Sequence, residues 1–453
     1  MKRSIFASGS YCQLLRQWTR HSRSLVSDGK QKAFCYHDNL LKLPRCIAPG
    51  ISTPVREARR SMCTVAEVGS EQQEEVFHID IPDDKHTHIQ VPFRTKEDDP
   101  TKHNMDHEGL FYNVHKEDYV KYFQFSGQWP DYLKNVKTFN ECAVMIRKPA
   151  LEVCEMIDSM NMNHPAVNIV FYGKLGSGKT LTLAHVVHTY AKQGWFTVHV
   201  PMLIELLRKK AYTTPELIPS KFFEGQKYDM NDAAVTWLKF CKLQNPEHLE
   251  ALKTTKEYSW TEREACTEGT SLLEITTFGI ERRVFASDCV GIILRELKLA
   301  ASDKKIKLLV AADGINGFFK ATKIPTNDKK LLNAQEITIF HYLANMFQPT
   351  WSNGACVGTL CPAVACLNTE MDRYRSPYTP QALLQKEGFE YLDPFIPVLV
   401  PDYTTKEVYN CLEYYLDRKW IQRPQGQTEE GKKELILLSN KNPLELMSIC
   451  SYW

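Results

Sequence analysis

Residues 166–180 read Ala-Val-Asn-Ile-Val-Phe-Tyr-Gly-Lys-Leu-Gly-Ser-Gly-Lys-Thr, and after a helical stretch residues 196–201 read Phe-Thr-Val-His-Val-Pro. Within this, Gly173, Lys174, Leu175, Gly176, Ser177, Gly178, Lys179 and Thr180 fit the pattern G-x-x-x-x-G-K-[ST] of a phosphate-binding loop. Gly173, Gly176 and Gly178 allow positive φ and let the backbone approach a ligand with no Cβ in the way. Successive amides then point inward as an anion nest at a helix N-terminus. Lys179 is expected to reach the β- and γ-phosphates, and the Thr180 hydroxyl to ligate Mg²⁺. The flanks agree. Val167 to Tyr172 is an apolar run suited to a buried parallel strand. Leu181, Ala184, Val187, Tyr190 and Ala191 recur at helical spacing, Gly194 suits the position after the helix, and Phe196 to Val200 supplies a second strand. The unit reads as βαβ. A glycine-rich turn without a ligand is the ordinary alternative, and the strand–loop–helix setting argues against it.

A second chemical landmark lies more than a hundred residues on. Ile306 to Ala312 is an apolar strand that closes on Asp313, where a carboxylate would hold Mg²⁺ directly or through water. The competing reading is an aspartate capping the turn at Asp313-Gly314. Asp313 is followed by Gly314-Ile315-Asn316 and not by an acid, so a water-activating base is missing. Asn316 is a candidate for orienting water but a poor base, and hydrolysis is expected to be slow or absent in isolation. Ala355 to Leu360 reads as another core strand. Thr359 near its end is placed either to sense a γ-phosphate or simply as a satisfied strand-end threonine. Phe395 to Val400, between Pro394 and Pro401, is a further short strand.

Around this core the chain divides by composition. Residues 1–66 hold 12 Lys and Arg against 3 acids, Asp28, Asp38 and Glu57. The 453-residue chain holds 56 basic and 54 acidic residues, so 67–453 carries 44 and 51, a balance of −7 after a start of +9. A basic, Ser-rich, acid-poor start, with Tyr11, Leu14, Leu15 and Trp18 on one helical face and Arg16, Arg20 and Arg23 nearby, reads as a mitochondrial transit segment. A basic arm that binds nucleic acid is the alternative. Residues 67–135 are broken by Pro82, Pro92, Pro100 and Pro130 but carry Phe111, Tyr112, Tyr119, Tyr122, Phe123, Phe125 and Trp129. They read as an extended arm anchored by aromatics on a partner or on the protein's own core. His103, His107 and Glu108 lack metal-ligand spacing. The 14 cysteines are scattered without C-x-x-C, which fits reduced thiols and no zinc framework. No apolar run approaches the ~18 residues of a membrane-crossing helix.

A helical pattern is expected from near Lys137 and again over Ala150 to Met160. Residues 202–300 read as mostly helical, including Asp232 to Leu243 and a long segment near Ile280 to Ala301. In that segment Val290, Ile293, Leu294 and Leu297 form the buried stripe, and Arg295 and Lys298 face water. From Thr404 the stripe Val408, Cys411, Leu412, Tyr415 and Leu416 begins a small helical unit that continues over 432–450 around Asn442-Pro443. The expected organisation is a basic segment (1–66), an arm (67–135), an α/β nucleotide-binding domain (136–402) and a helical C-terminal lid (403–453).

With these pieces in place the sequence resembles the death-associated protein 3 family, GTP-binding proteins of the mitochondrial small ribosomal subunit. The likeness rests on Val136-Lys137-Thr138-Phe139, Arg147-Lys148-Pro149-Ala150-Leu151-Glu152, the loop with Leu181, and Asp313-Gly314-Ile315-Asn316. It continues in Lys386-Glu387-Gly388-Phe389, Leu392-Asp393-Pro394-Phe395-Ile396-Pro397 and Thr428-Glu429-Glu430-Gly431-Lys432-Lys433-Glu434-Leu435, and spans about residues 100–453. The resemblance implies a P-loop NTPase fold of AAA type, GTP or GDP with Mg²⁺, and a mitochondrial matrix location. It also implies assembly with small-subunit ribosomal proteins near the contacts with the large subunit, and a role in apoptosis. No N-K-x-D guanine-reading motif follows a core strand, since Asn440-Lys441-Asn442 lacks the aspartate; the base preference therefore rests on the family. The acidic balance of 67–453 favours docking on proteins, with rRNA touched locally by Lys304, Lys305, Lys307, Lys329 and Lys330. Two functions follow as expectations. One is a nucleotide-locked structural component of a mitochondrial ribonucleoprotein; the other is an active AAA-type ATPase or GTPase switch working off the ribosome.

Overall fold

The structure, a computed structural model, describes residues 93–123, 130–201, 203–208, 216–326, 329–365 and 377–453, with the backbone alone for 130–134. The basic segment 1–66, the stretch 67–92, Phe125 and Trp129 lie outside the described residues.

Five strands form one parallel sheet: β1 (Val167–Tyr172), β2 (Phe196–Val200), β3 (Leu308–Ala312), β4 (Gly354–Thr359) and β5 (Phe395–Leu399). Their order is β5–β1–β4–β3–β2. The expected strands are therefore present, but β1 and β2 are not neighbours: the crossover between them passes over β4 and β3. The helices that matter are α1 (Lys148–Ser159), α2 (Lys179–Lys192), α3 (Asn231–Gln244), α4 (Leu272–Glu281), α5 (Ala286–Ser302), α6 (Thr338–Asn345) and α7 (Pro380–Leu392, kinked at Gln385). They are followed by α8 (Thr405–Asp417), α9 (Glu429–Ser439) and α10 (Pro443–Cys450).

The strand order fixes which helices lie on which face. The chain moves one way along the sheet from β1 to β2 and the other way through β3, β4 and β5. Right-handed crossovers then place α2 on one face and the later helices on the opposite one. The two cores match this. Ile169, Phe171, Leu309, Ala311, Ala355 and Val357 pack with Val153 and Ile157 of α1 and Leu183, Val186 and Val187 of α2. The alternate residues Val170, Val198, Leu308, Val310 and Cys356 pack with Trp237 of α3, Ile275 of α4, Val290 and Leu297 of α5, Phe340 of α6 and Leu383 of α7. A sheet buried on both faces explains why its strands read as unbroken apolar runs. Among the described residues no helix is long and apolar enough to cross a membrane.

Three helical expectations change. Lys137 lies at the end of a helix, Pro130–Phe139, and the strand Ala143–Met145 follows it. The segment 280–301 is broken by a 3-10 turn over Arg283–Phe285, so α4 and α5 are separate and pack against each other. Of the two side chains expected in water, Arg295 is exposed, whereas the Lys298 ammonium donates to Asn345 O at 2.6 Å and Thr350 Oγ1 at 3.1 Å.

The aromatic anchors of the N-terminal segment pack on this protein's own body. Phe111–Asn113 pairs antiparallel with Ala143–Met145. Tyr112, Tyr119, Tyr122 and Phe123 bury against Ile146, Leu151 and Ala184, while Phe93 and Phe111 join Tyr414 and Tyr415 of α8. One ion pair pins this segment to α2: Asp118 Oδ2 meets Lys192 Nζ at 2.8 Å and His188 Nε2 at 3.4 Å. Burial disfavours the Asp118 carboxylate, but the bonds from His188 and Lys192 outweigh it and hold its pKa at about 2. The unfolded value is about 3.9. The stabilisation is thus complete above pH ~4 and is lost as pH falls through ~2, amounting to at most about 2.5 kcal/mol. Asp118→Asn is expected to lower the urea midpoint at pH 7 and to shrink its own deficit at pH 2–3, as denaturation at the two pH values will read out.

Candidate functional site

Register brings the chemical residues to one edge. Ala312 pairs with Gly358, and Thr359 with Phe171, so the C-terminal ends of β3, β4 and β1 finish together. Asp313, one residue past β3, accepts hydrogen bonds on both carboxylate oxygens: from the Thr180 hydroxyl at 3.0 Å on Oδ2, and from the Thr359 hydroxyl on Oδ1. Thr359 Oγ1 in turn accepts from the Gly314 amide at 2.9 Å and is fully buried. Burial pushes the Asp313 carboxyl up, and the bonds from Thr359 and Thr180 pull the other way. The crevice outside the carboxyl ends of parallel strands is where ligands bind in open α/β sheets.

Above this cluster runs the loop Gly173–Thr180. Gly173, Gly176 and Gly178 all have positive φ, at +151°, +77° and +94°. A Cβ on Gly173 would stand 2.4 Å from Val400 O, so only glycine fits there. No side chain caps the N-terminus of α2, leaving its first amides without the intrahelical partners they need. Lys179 is buried, and its ammonium donates to Gly173 O at 3.0 Å and Lys174 O at 2.6 Å. Burial lowers its pKa. Ser177 is fully buried and its hydroxyl has no partner among the described residues. Uncapped amides, a buried lysine and an unsatisfied hydroxyl in one loop fit an anionic ligand. Among the described residues no three His, Cys, Asp or Glu are placed to hold a metal. One hydroxyl and one carboxylate, Thr180 and Asp313, suit Mg²⁺, which usually keeps waters and substrate phosphates as its remaining ligands.

The C-terminal helices meet the loop directly. The Leu444 amide donates to Gly176 O at 3.3 Å, and Asn442 Nδ2 donates to Leu175 O at 3.0 Å and to Asp402 Oδ1 at 2.9 Å. Asp402 Oδ2 also takes the Lys174 ammonium at 2.7 Å. From the other side Arg147, which is buried, donates through Nη1 to Ser177 O at 2.6 Å. Its Nε and Nη2 fork onto the buried Glu407 carboxylate of α8 at 2.9 and 3.2 Å, and Nη2 also reaches Pro401 O at 3.1 Å. Glu407 is held in place by the capping box it forms with Thr404.

Gly176 shows how tight this contact is. A Cβ there would lie 2.5 Å from Leu444 Cβ and 2.6 Å from Asn442 Oδ1. Gly176→Ala must therefore both adopt a left-handed backbone, costing about 1–2 kcal/mol, and push α10 away. The expected result is a lower melting temperature, checked by thermal scanning.

Of the residues expected from sequence, Thr180, Asp313 and Thr359 come together beneath the loop. Asn316 does not join them. Its amide donates to Cys361 O at 3.0 Å and accepts from the Cys361 amide at 2.9 Å, and the side chain is fully buried. It pins the segment after β4 and presents neither amide atom to the cluster. The residues to which sequence reading gave no role in the site are Arg147, Asp402, Glu407, Asn442 and Leu444.

Comparison with known proteins adds an independent finding. The profile of the family described as "Mitochondrial ribosomal death-associated protein 3" matches residues 144–449. A Bos taurus protein named "Small ribosomal subunit protein mS29" is 39% identical over 362 residues, covering 79% of this chain and 88% of that protein. The Mus musculus protein of the same name is 37% identical over 361 residues, covering 79% and 89%. Among solved structures, a chain titled "Structure of E. coli MS115-1 HORMA:CdnC:Trip13 complex" overlays 73% of this chain and 79% of its own at 9% identity and a TM-score of 0.24, too slight a likeness to argue from.

Proposed function

Because the chain belongs to the mitochondrial ribosomal death-associated protein 3 family, we propose that it is a component of the mitochondrial small ribosomal subunit that holds a guanine nucleotide as a fixed part of its structure. The observation that carries the nucleotide reading is the hydrogen-bonded set Thr180–Asp313–Thr359 beneath a glycine loop whose far side is sealed by Asn442 and Leu444. The loop amides and Lys179 would hold the phosphates, and Thr180 and Asp313 the Mg²⁺, which when bound neutralises phosphate charge. The strand order, with strand-end residues from β3 and β4 beside the loop, α8 tied to it through Arg147 and the start of α10 bonded to it directly, supports an AAA-type assignment. Guanine as the base comes from the family resemblance.

Retention rather than turnover is the favoured mode. The residue after Asp313 is Gly314, and its amide is spent on Thr359, while Asn316 is spent on Cys361. Neither offers a general base. The purified protein should therefore hydrolyse nucleotide well below the ~1 s⁻¹ at the slow end of ordinary enzymes. The ribosomal reading draws on the names of the relatives, and the matrix location follows from it. Docking is mainly on small-subunit proteins, with rRNA touched at exposed lysines such as Lys304, Lys305, Lys329 and Lys330. Sedimentation of a mitochondrial extract tests this: the protein should travel with the small subunit. A protein found only in the light fractions, turning over nucleotide at ~1 s⁻¹ or faster, would instead favour a free switch.

A further inference from the structure

Beside the middle and C-terminal half of α2 lies a cleft of about 510 Å³ that the nucleotide reading does not use. It opens between α1, α2 and the turn Pro100–Lys102, and its walls include His103, Cys154, Glu155, Asp158, His185 and Thr189. On its floor is a hydrogen-bond chain whose polarity can be read from one end. His103 Nε2 lies 2.9 Å from the carbonyl oxygen of Glu97, which can only accept, so that nitrogen carries the hydrogen. Burial lowers the pKa of His103 and, further, that of His185, so both imidazoles are neutral with one N–H each. His103 Nδ1 is therefore a lone pair. It faces His185 Nε2 at 2.9 Å, which must be the donor. The remaining nitrogen, His185 Nδ1, is left as a bare acceptor. His185 is 1% exposed, and that nitrogen has no partner among the described residues.

The charges around the cleft point the same way. Glu155 and Asp158 are exposed on α1, and neither has a basic partner among the described residues. Asp158 Oδ1 accepts from the Tyr190 hydroxyl at 3.0 Å, leaving Oδ2 available. Lys102 on the adjoining turn is paired with Glu97 at 3.6 Å and Asp99 at 3.4 Å. The Thr189 hydroxyl is spent on His185 O at 2.9 Å, so it cannot supply the missing donor. A buried acceptor lacking a donor, under a mouth with two uncompensated carboxylates, is complementary to a ligand that brings both N–H groups and positive charge.

We propose that this cleft binds an organic ammonium group, which donates to His185 Nδ1 and is held in charge by Glu155 and Asp158. The same chemistry is offered by a free polyamine and by a lysine side chain of a neighbouring protein. No residue of the cleft belongs to Gly173–Thr180, so the site stands or falls independently of nucleotide binding.

The test is calorimetric titration of the full-length protein, at constant ionic strength, with spermidine and separately with Nα-acetyl-lysine methylamide. Saturable binding of spermidine alone assigns a free polyamine, and binding of the lysine analogue assigns a protein side chain. Either supports the site. Glu155→Gln and Asp158→Asn, exposed and nearly isosteric, should leave melting unchanged while each weakens binding about tenfold, as expected for losing one charge-assisted contact. The absence of saturable heat with both probes, or undiminished binding in the doubly substituted protein, would overturn the proposal.

Discussion

Lys179→Ala is expected to abolish nucleotide retention while leaving the melting temperature measured without nucleotide close to that of the unaltered protein. The two halves of this result have separate physical causes. Lys179 Nζ makes its contacts to Gly173 O and Lys174 O, carbonyls of the very loop it springs from. Among the described residues, removing the ammonium breaks no long-range hydrogen bond, and it relieves the protein of a charge whose pKa burial already lowers. In the proposed nucleotide complex the same ammonium would be the charge that meets the β- and γ-phosphates. Charge-assisted hydrogen bonds are worth about 1.5–3 kcal/mol each, so affinity should fall by roughly a hundredfold or more. A nucleotide at a hundred times its Kd stabilises the folded state by about 2.7 kcal/mol. Once any retained nucleotide has been stripped, adding GTP and Mg²⁺ should raise the melting temperature of the unaltered protein and leave that of the variant where it was. An equal rise in both would show that the ligand sits elsewhere.

Arg147→Ala should be the most damaging single change to stability. One guanidinium joins Ser177 O of the loop, Pro401 O beyond β5 and both oxygens of Glu407 on α8. Both partners of the ion pair are almost wholly buried, with side chains 5% and 1% exposed. Truncation strands the Glu407 carboxylate in a low-dielectric interior, and breaking a buried pair in this way costs about 3–5 kcal/mol. Arg147→Lys should recover little, because a single ammonium cannot reproduce a planar fork that spans three elements. Pairing Arg147→Met with Glu407→Leu should recover part of the loss, since it removes the orphaned charge. Urea denaturation of the four proteins checks this. Single substitutions as harmless as the double one would show that the pair contributes no coupling.

How much of this was legible in the sequence follows from what each contact depends on. The five strands could be read because a sheet covered on both faces makes short apolar runs, as in Val167–Tyr172 and Gly354–Thr359. Their order could not be read, because it depends on how far each crossover travels. Ribbons as short as Ile218–Pro219 with Tyr228–Asp229 leave no periodicity to find. In the site, the loop is a local pattern, and Asp313 and Thr359 are strand ends, so all could be placed. The clamp is different in kind: Arg147 and Glu407 are 260 residues apart and share no motif. Asn442-Pro443 does carry the signature of a helix start, and Asn442 indeed accepts from the Leu444 and Glu445 amides. Nothing local says that its other amide atom reaches Leu175 O in the loop Gly173–Thr180. Gly176 is the clearest case. It fits the loop pattern as a variable position; its positive φ could be read from the loop, but the lack of room for a Cβ comes from Leu444 and Asn442.

The central claim is that the loop from Gly173 to Thr180 holds a nucleotide as a lasting part of the folded protein. Acid release and mass-spectrometric counting of the nucleotide that stays with the purified protein through gel filtration tests it most directly. A guanine nucleotide approaching one per chain in the unaltered protein, and none in Lys179→Ala, is the predicted result. Folded, unaltered protein that carries no nucleotide and takes up none when GTP and Mg²⁺ are supplied would contradict it.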